Sequence, residues 1–530
     1  MNKILLAVLL PVLLGFLSCQ TKQTQDNQAE KQASKVTVLI EYADSTIKVS
    51  RQPFGIRVSR LGMHVVAVSR RKNVEFILKG NSSEGSFKVY SDHPFALRLN
   101  GVQLFNPEGP AINIQSAQHT LIVLTPETQN ILKDGSLYAL PPKGEQMNAC
   151  IFSEGNLIFY GSGNLLIKGN YKHALYSRGY LKLAENCDIR VSEAKKDGFH
   201  VLGDIIIEGG QLNINAADDG IKSAGNITVN NGDIVVKAIK KDGSEGLECS
   251  LLTVNGGQMR VLAYDDAINT ARELIINGGS VYCYSLYNDG IDSNGSIHIN
   301  GGLVVSSGTQ MPEEGIDCDR NIFVITGGTV IASGGGSSVP TARLSTQPSL
   351  IYSGDYDQSI HIRGAGGEDV LTYSLLRNYH QFTLLFSSPA LRTGSSYELY
   401  SGGQPEGGTH LYGFFTGSKY KQGVKKADFT TSSMVTMVGE LRMGGPTHRG
   451  AFPPERPGEV PDGAGDPEAP GNLGEPFFNP AELSKNSPTN SNVSGTATMH
   501  TGDPGFDPNP PYGAMPYREA AEIPDWPDKL

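Results

Sequence analysis

The chain has 530 residues and a formal net charge of −10, from 54 acidic and 44 basic side chains. Residues 443–530 contain 13 of the acidic and 5 of the basic residues, so this terminal segment alone contributes −8. The rest of the chain is nearly neutral and has no basic stripe, which excludes nucleic acid as a partner bound through the usual electrostatic footprint.

The N-terminus predicts export. Lys3 precedes the apolar run Ile4–Leu14, which is too short to cross a bilayer and is typical of a signal-peptide core. We expect residues 1–18 to be a signal peptide and residues 19–34, which are polar and aperiodic, to be a flexible tether. No later segment is long and apolar enough for a transmembrane helix.

The cleavage site predicts a lipid anchor. The sequence Phe16-Leu17-Ser18-Cys19 resembles a bacterial lipoprotein cleavage box, although Phe16 replaces the branched aliphatic residue preferred there. Ordinary signal cleavage is the alternative, and Phe16 and Ser18 make a poor site for it. We therefore expect lipidation at Cys19 and attachment to a membrane of the bacterial cell envelope.

The middle of the chain is an internal repeat, clearest over residues 155–336. A small residue followed by an apolar one recurs at spacings of 24, 22, 26, 21, 23 and 25. A second phase recurs with the same period and contains a short alternating strand, a Gly-rich turn and another short strand, as in Leu274–Val281. The small-apolar pairs are Ala174-Leu175, Gly198-Phe199, Gly220-Ile221, Gly246-Leu247, Ala267-Ile268, Gly290-Ile291 and Gly315-Ile316.

This repeat predicts an all-β fold, a right-handed parallel β-helix with three short strands per rung of about 23 residues. Leucine-rich repeats, propeller blades and nine-residue calcium rolls have other consensus patterns or lengths. We expect the β-helix to span residues 35–345, and residues 346–442 to form strands that complete or cap it. Residues 443–530 hold 17 of the 30 prolines and are predicted to be a disordered acidic tail.

The repeat also decides the state of two cysteines. Cys249 and Cys318 occupy the same inward column three rungs apart, which places them about 14 Å from each other. A disulfide requires Cα atoms within about 7 Å. We expect both to be free, buried thiols.

The outward positions beside the small-apolar pairs become densely acidic along the repeat. Carboxylates stacked at about 4.8 Å repel one another, so a cation between rungs would relieve the strain, and calcium prefers such oxygen ligands. Zinc is not expected, because His200 and Cys249 point to different faces and the sequence shows no tight His/Cys group. The alternative is turn chemistry, since Asp-Gly favours corners with positive φ. The predicted calcium ligands are Asp218, Asp219, Glu245, Glu248, Asp265, Asp266, Asp289, Asp292, Glu314 and Asp317.

Several of these runs carry a family resemblance. Asp218-Asp-Gly-Ile-Lys-Ser and Asn288-Asp-Gly-Ile-Asp-Ser resemble the bacterial carbohydrate-binding β-helix family, as do the opening rungs at Leu99–Leu104 and the later strands from Thr393. The resemblance covers residues 35–439 and implies a pectate-lyase-like fold, with calcium in the helix and cellulose or acidic pectic chains as ligands. Ser244-Glu245 and Glu313-Glu314 depart from the usual Asp-Asp-Gly.

Three tyrosines near the acidic rungs are candidate sugar-binding platforms: Tyr264, Tyr284 and Tyr287. The simpler interpretation is that they are ordinary strand residues, because aromatic side chains are favoured in strands.

The leading interpretation is therefore a non-catalytic, polysaccharide-binding envelope lipoprotein stabilised by calcium. The first alternative is a calcium-dependent polysaccharide lyase, which needs a base beside the metal. The candidate bases are Lys240, Lys241, Arg272 and Arg320. The second alternative is an adhesin or structural solenoid without a sugar ligand.

Overall fold

A computed structural model of the protein describes residues 35–440, except 44, 320, 321, 356 and 357. The predictions for residues 1–34 and 443–530, for lipidation at Cys19 and for Arg320 as a base therefore lie outside the described residues. The regular structure of the described residues is entirely β strand, and no helix among them could cross a membrane.

The strands stack as parallel coils into a β-solenoid of about 11 turns, which confirms the predicted fold class. Each coil, or rung, contributes to three faces. The first face consists of β4 (His64–Ser69), β6 (Ser86–Ser91), β8 (Ile112–Ile114), β11 (Ala149–Ser153), β14 (His173–Ser177), β17 (Phe199–Val201), β20 (Ile221–Ser223), β27 (Ile291–Ser293) and β30 (Asp317–Cys318).

The second face follows the first along the chain and also pairs in parallel. It consists of β9 (Thr120–Leu124), β12 (Leu157–Tyr160), β15 (Leu181–Leu183), β18 (Ile205–Ile207), β21 (Asn226–Val229), β28 (Ser296–Ile299) and β31 (Ile322–Ile325). On two rungs the first and second faces are continuous in a single longer strand, namely β23 (Leu247–Val254) and β25 (Ile268–Ile276).

The third face completes each rung. It consists of β10 (Gln129–Asp134), β13 (Asn164–Gly169), β16 (Asp188–Ala194), β19 (Gln211–Ala216), β22 (Asp233–Ala238), β24 (Gln258–Ala263), β26 (Ser280–Ser285), β29 (Leu303–Ser307) and β32 (Thr329–Gly334). The N-terminal strands that open the solenoid are β1 (Val36–Ala43), β2 (Thr46–Val49), β3 (Ile56–Leu61), β5 (Val74–Ser82) and β7 (Phe95–Asn106).

Strands after the last rung depart from the coil. β36 (Gln381–Ser387) pairs antiparallel with both β32 and β33 (Ser349–Asp355), and six of the other strands form a separate sheet. The strands that follow the last rung are β33 (Ser349–Asp355), β34 (Ser359–Gly364), β35 (Asp369–Ser374), β36 (Gln381–Ser387), β37 (Ser396–Ser401), β38 (Gln404–Glu406), β39 (Thr409–Leu411), β40 (Phe414–Thr416), β41 (Lys419–Lys421), β42 (Val424–Thr430) and β43 (Val435–Val438).

The core is the ladder of inward side chains predicted from the repeat. Leu175 pairs in register with Phe199, and the ladder continues rung by rung to Ile291. Every member is at most 1% exposed. Cys249 and Cys318 lie in one column, separated by Thr270 and Ser293, and both are free and buried, as predicted.

The turn between the second and third faces explains the Asn-Gly-Gly repeat. The asparagine side chains donate to one another from rung to rung at 2.8–2.9 Å, which satisfies polar groups along this exposed corner. The second glycine of each turn has positive φ, for example 82° at Gly279, a conformation that glycine adopts without strain. The ladder comprises Asn230, Asn255, Asn277 and Asn300.

The glycines that precede the first face have a different role. Gly198, Gly220, Gly246, Gly290 and Gly315 all lack positive φ, so the turn-chemistry explanation of Asp-Gly is wrong at these positions. A Cβ at Gly220 would lie 2.1 Å from the Val236 side chain and 2.6 Å from the Gly246 carbonyl oxygen. The small residue is therefore required because neighbouring rungs pack closely at this corner.

Candidate functional site

The acidic corner is the turn from the third face to the first face on five successive rungs. We define it by the ten predicted carboxylates, from Asp218 to Asp317. On each rung the third-face strand ends, and a connection of four to nine residues that contains the small residue leads to the first-face strand. Because parallel rungs repeat this path in register, their carboxylates form columns.

The first column lies before the small residue and is buried, which corrects the expectation that these residues point outward. Its members are 4–9% exposed. Three of them accept a hydrogen bond from the backbone N–H of the next rung: Asp219 from Glu245 at 3.0 Å, Asp266 from Asp289 at 2.9 Å, and Asp289 from Glu314. An asparagine oxygen could accept the same bond, so the bond alone does not explain a charged side chain here. The column is Asp219, Glu245, Asp266, Asp289 and Glu314.

The second column lies on the first face and is half-buried. Glu248 pairs in register with Asn269, Asn269 with Asp292, and Asp292 with Asp317. Asn269 donates to Glu245 at 3.2 Å and therefore links the two columns. The hydroxyl of Ser338 donates to Asp317 at 3.1 Å. This column is the part of the corner that a ligand on the first face could reach.

Lysines neutralise the start of the acidic corner. Lys222 Nζ lies 3.1 Å from Asp219 and 2.6 Å from Glu248. Although burial disfavours the ammonium, these two carboxylates raise the pKa of Lys222. Lys241 Nζ lies 2.8 Å from Asp218. Three of the ten predicted calcium ligands are thus held in ion pairs, which leaves the later rungs as the stronger candidates.

The later rungs carry charge that burial opposes. Burial and the neighbouring carboxylates raise the pKa of Asp266 and of Asp289 well above its ordinary value. Burial raises the pKa of Asp292 to about 8, together with repulsion from Asp317 and Asp319. Burial likewise raises the pKa of Asp265. Each carboxylate therefore either binds a proton or requires a cation nearby.

The donor set fits a hard cation such as calcium. The charged members of the acidic corner on the later rungs are carboxylates, the ligands that calcium prefers. Glu245 is buried, and within the described part of the chain its Oε2 atom has no hydrogen-bond partner. A buried carboxylate oxygen without a partner is costly unless a cation lies beside it. The remaining candidate calcium ligands are Glu245, Asp265, Asp266, Asp289, Asp292, Glu314 and Asp317.

Two of the three predicted tyrosines border this corner. Tyr264 and Tyr287 follow successive third-face strands, and their ring centroids lie 4.4 Å apart at an interplanar angle of 40°. Both are half-buried. Tyr264 directly precedes Asp265, and Tyr287 lies two residues before Asp289, so the two rings form an aromatic pair at the edge of the corner.

Tyr284 is not available as a platform, which corrects its prediction. Its side chain is 1% exposed, and the Arg377 guanidinium lies 4.1 Å from its ring centroid. Arg377 comes from the segment between β35 and β36 and also donates to the carbonyl oxygens of Ser285 and Leu286. The segment between β35 and β36 thus covers the third face at this rung.

Three of the four candidate bases of the lyase alternative are described, and each has another partner. Lys241 binds Asp218 as noted, and Lys240 Nζ lies 3.6 Å from Glu193. Arg272 donates to the Ser250 hydroxyl at 2.6 Å and to Asn226 at 3.3 Å, beside the second face.

A histidine cluster on the first face was missed by the sequence interpretation. The donor atoms of His173, Asp197 and His200 all lie within 4.8 Å of one another. The expectation that no tight histidine group occurs is therefore wrong. His173 and Asp197 are 24 residues apart, which is one rung, and this spacing was the signal in the sequence. Burial alone would raise the pKa of Asp197, but contacts with both imidazoles hold this pKa well below its usual range.

Known proteins resemble this chain over the solenoid. The family model for the carbohydrate-binding domain-containing protein matches residues 64–250 and 235–365, more than half of the chain. A carbohydrate-binding domain-containing protein of Acetivibrio thermocellus is 26% identical over 197 residues, covering 32% of this chain and 69% of that relative. A solved structure, the gadolinium derivative of the polysaccharide lyase-like protein from C. thermocellum, shows 20% identity and a TM-score of 0.36, covering 55% of this chain and 97% of that one. The chain belongs to the family of carbohydrate-binding domain-containing proteins.

Proposed function

We propose that this protein is a non-catalytic, polysaccharide-binding lipoprotein of the bacterial envelope whose binding surface is the acidic corner with its tyrosine pair. The observation that carries the proposal is the pair of buried carboxylates Asp266 and Asp289, whose pKa values are raised by burial and by neighbouring carboxylates, in a chain of a carbohydrate-binding family. Binding, rather than catalysis, accounts for these charges most simply.

The two columns of the acidic corner would hold the ion from opposite sides. Asp266, Asp289 and Glu245 are buried and would hold calcium from the inner side. Asp292 and Asp317 are half-buried on the first face and would hold it from the outer side. The ion would supply charge neutralisation between rungs and an attraction for anionic groups in solution.

Acidic chains such as pectic polymers are the ligands that this arrangement favours. Uronate carboxylates are the same class of oxygen donor that lines the corner, and calcium accommodates 6–8 such ligands. Tyr264 and Tyr287 offer an apolar surface beside the charges, against which a sugar ring could pack. Cellulosic chains lack the carboxylate and would depend on the aromatic pair alone.

The lyase alternative requires a base with access to the metal. Lys222 is a cation inside the corner, and it is held between Asp219 and Glu248. A lysine stabilised in its charged form by two carboxylates is a poor proton acceptor. We therefore favour binding over elimination chemistry.

A glycan array probed with and without a calcium chelator tests the proposal. We expect retention of acidic polysaccharides in calcium and its loss in chelator. Retention of no glycan under either condition would favour the adhesin or structural alternative instead.

The acidic corner gives stability a distinctive pH dependence. Carboxylates with a raised pKa in the folded state bind more protons than the unfolded chain between about pH 4 and pH 8, so stability falls as pH rises through that window. In metal-free buffer we expect a lower melting temperature at pH 8 than at pH 5. Added calcium should reduce this difference, and calorimetry at the two pH values measures it. A calcium-insensitive difference would contradict the proposal.

Membrane attachment is expected to depend on Cys19. A Cys19→Ala variant lacks the thiol that receives the lipid, so the protein should leave the membrane fraction or stay unprocessed. Fractionation followed by immunoblotting measures this, with Cys187→Ala as a control because Cys187 is a buried thiol of the solenoid. Unchanged membrane retention of Cys19→Ala would exclude the anchor.

A further inference from the structure

The structure assigns a second, chemically different metal site to the first face: we propose that His173, Asp197 and His200 bind a zinc-type divalent transition-metal ion. Two imidazoles and one carboxylate are the donors that zinc prefers, whereas calcium prefers oxygen alone. The site lies on the two rungs that precede the acidic corner and continues its columns, since His200 pairs in register with Lys222. The proposal does not rest on the proposed function.

The three side chains converge because the solenoid repeats in register. Tyr176 pairs with His200 across β14 and β17, which places His173 and Asp197 at equivalent positions on successive rungs. His200 Nδ1 lies 2.6 Å from Asp197 Oδ2, and His173 Nδ1 lies 3.2 Å from the same oxygen. Ligand atoms around a tetrahedral zinc with bonds of about 2.0–2.1 Å are roughly 3.3 Å apart. The 3.2 Å separation matches a coordination shell, whereas the 2.6 Å separation is that of a hydrogen bond and would widen by about 0.7 Å when the ion binds.

Burial distinguishes this group from a chance surface cluster. The side chains of His173 and Asp197 are 6% and 5% exposed, and that of His200 is 17% exposed. Within the described ranges, His173 Nδ1 is buried and makes no hydrogen bond, despite its approach to Asp197. A divalent ion bound between the two imidazoles and the carboxylate would satisfy this buried nitrogen and the shared carboxylate together.

The neighbouring side chains hold the imidazoles in place. Tyr176 stacks on His200 at 5.1 Å and 6°, and Phe152 stacks on Tyr176 at 5.5 Å and 13°. The segment that follows β10 closes over this part of the first face, where Gln146 accepts a hydrogen bond from Arg178 at 3.0 Å. The apolar stack restricts both rings before any ion binds, which reduces the entropy lost on binding.

Zinc titration of the full-length, untagged protein tests the assignment. The protein is first freed of metal and then kept in excess calcium, which competes for the acidic corner. We expect one zinc ion per chain, measured by calorimetry. Replacing a residue that hydrogen-bonds to a metal-binding histidine typically lowers metal affinity about 10–100-fold. His200→Gln removes a ligand itself, so it should weaken zinc binding by about a hundredfold.

His298→Gln is the matched control, because His298 lies beside a single carboxylate, with Nε2 3.6 Å from Glu273, and has no second histidine in its contact. This variant should bind zinc like the wild type. Equal zinc binding by the His200→Gln and wild-type proteins would overturn the assignment, as would a wild type that takes up no zinc in calcium.

A cobalt spectrum keeps the test decisive if His200→Gln does not fold. Cobalt in a four-coordinate nitrogen and oxygen site absorbs visible light strongly, and zinc should displace it stoichiometrically from the wild type. If the wild type shows no more than the weak absorption of hydrated cobalt, the group is a metal-free hydrogen-bonded network, with both imidazoles donating to Asp197, and the assignment is wrong.

Discussion

Replacing Asp289 and Asp292 together by asparagine is expected to remove most of the calcium-dependent stabilisation of the protein. The double variant keeps the side-chain shape, and the asparagine oxygen at 289 can still accept the bond from the Glu314 backbone. It lacks two of the charges that would hold the ion. Binding to the folded state alone adds about 2.7 kcal/mol at a hundredfold excess over Kd, and this increment should largely disappear. Melting curves with and without calcium measure it.

In metal-free buffer at pH 8 the same variant should be more stable than the wild type, because the repulsion that raises the pKa of Asp289 and Asp292 is relieved. Glu84→Gln combined with Glu185→Gln is the matched control, since both residues are exposed and the charge change is the same. That control should retain the full calcium response. An asparagine variant with wild-type calcium stabilisation would rule out these rungs as the metal site.

Removing both rings of the tyrosine pair should weaken polysaccharide binding without changing calcium-dependent stability. Tyr264→Ala with Tyr287→Ala deletes the aromatic surface at the edge of the acidic corner and leaves the carboxylates intact. Aromatic anchors of binding sites commonly contribute more than about 1.4 kcal/mol, so affinity should fall at least tenfold. Titration calorimetry with a soluble acidic polysaccharide measures the change.

Tyr160→Ala provides the control, because Tyr160 is 60% exposed at the end of β12 on the second face. This variant should bind polysaccharide like the wild type. A tyrosine-pair variant that is folded, responds to calcium and still binds with wild-type affinity would show that the sugar contacts lie elsewhere.

The periodic features of the fold could be predicted from the sequence. The spacing of the small-apolar pairs specifies the register, and the register specifies the ladder from Leu175 to Ile291 and the shared column of Cys249 and Cys318. These features depend only on residues one rung apart, so one aligned repeat is enough to find them.

The features that depend on corner geometry or on distant segments were not predictable in the same way. The burial of Asp266 and Asp289 follows from the path of the chain at the corner, not from its periodicity. Tyr284 is covered by Arg377, 93 positions further along the chain, which no repeat rule anticipates. The histidine cluster had a visible spacing, but recognising it required the first-face register of His200 as well.

The affinity for polygalacturonate, measured in calcium and again in chelator while ultraviolet absorbance is followed, tests the central claim most directly. A calcium-dependent binding protein should bind in calcium, lose binding in chelator and generate no unsaturated, ultraviolet-absorbing product. Equal affinity under both conditions would contradict the role of calcium, and accumulation of the absorbing product in calcium would identify the protein as a lyase instead.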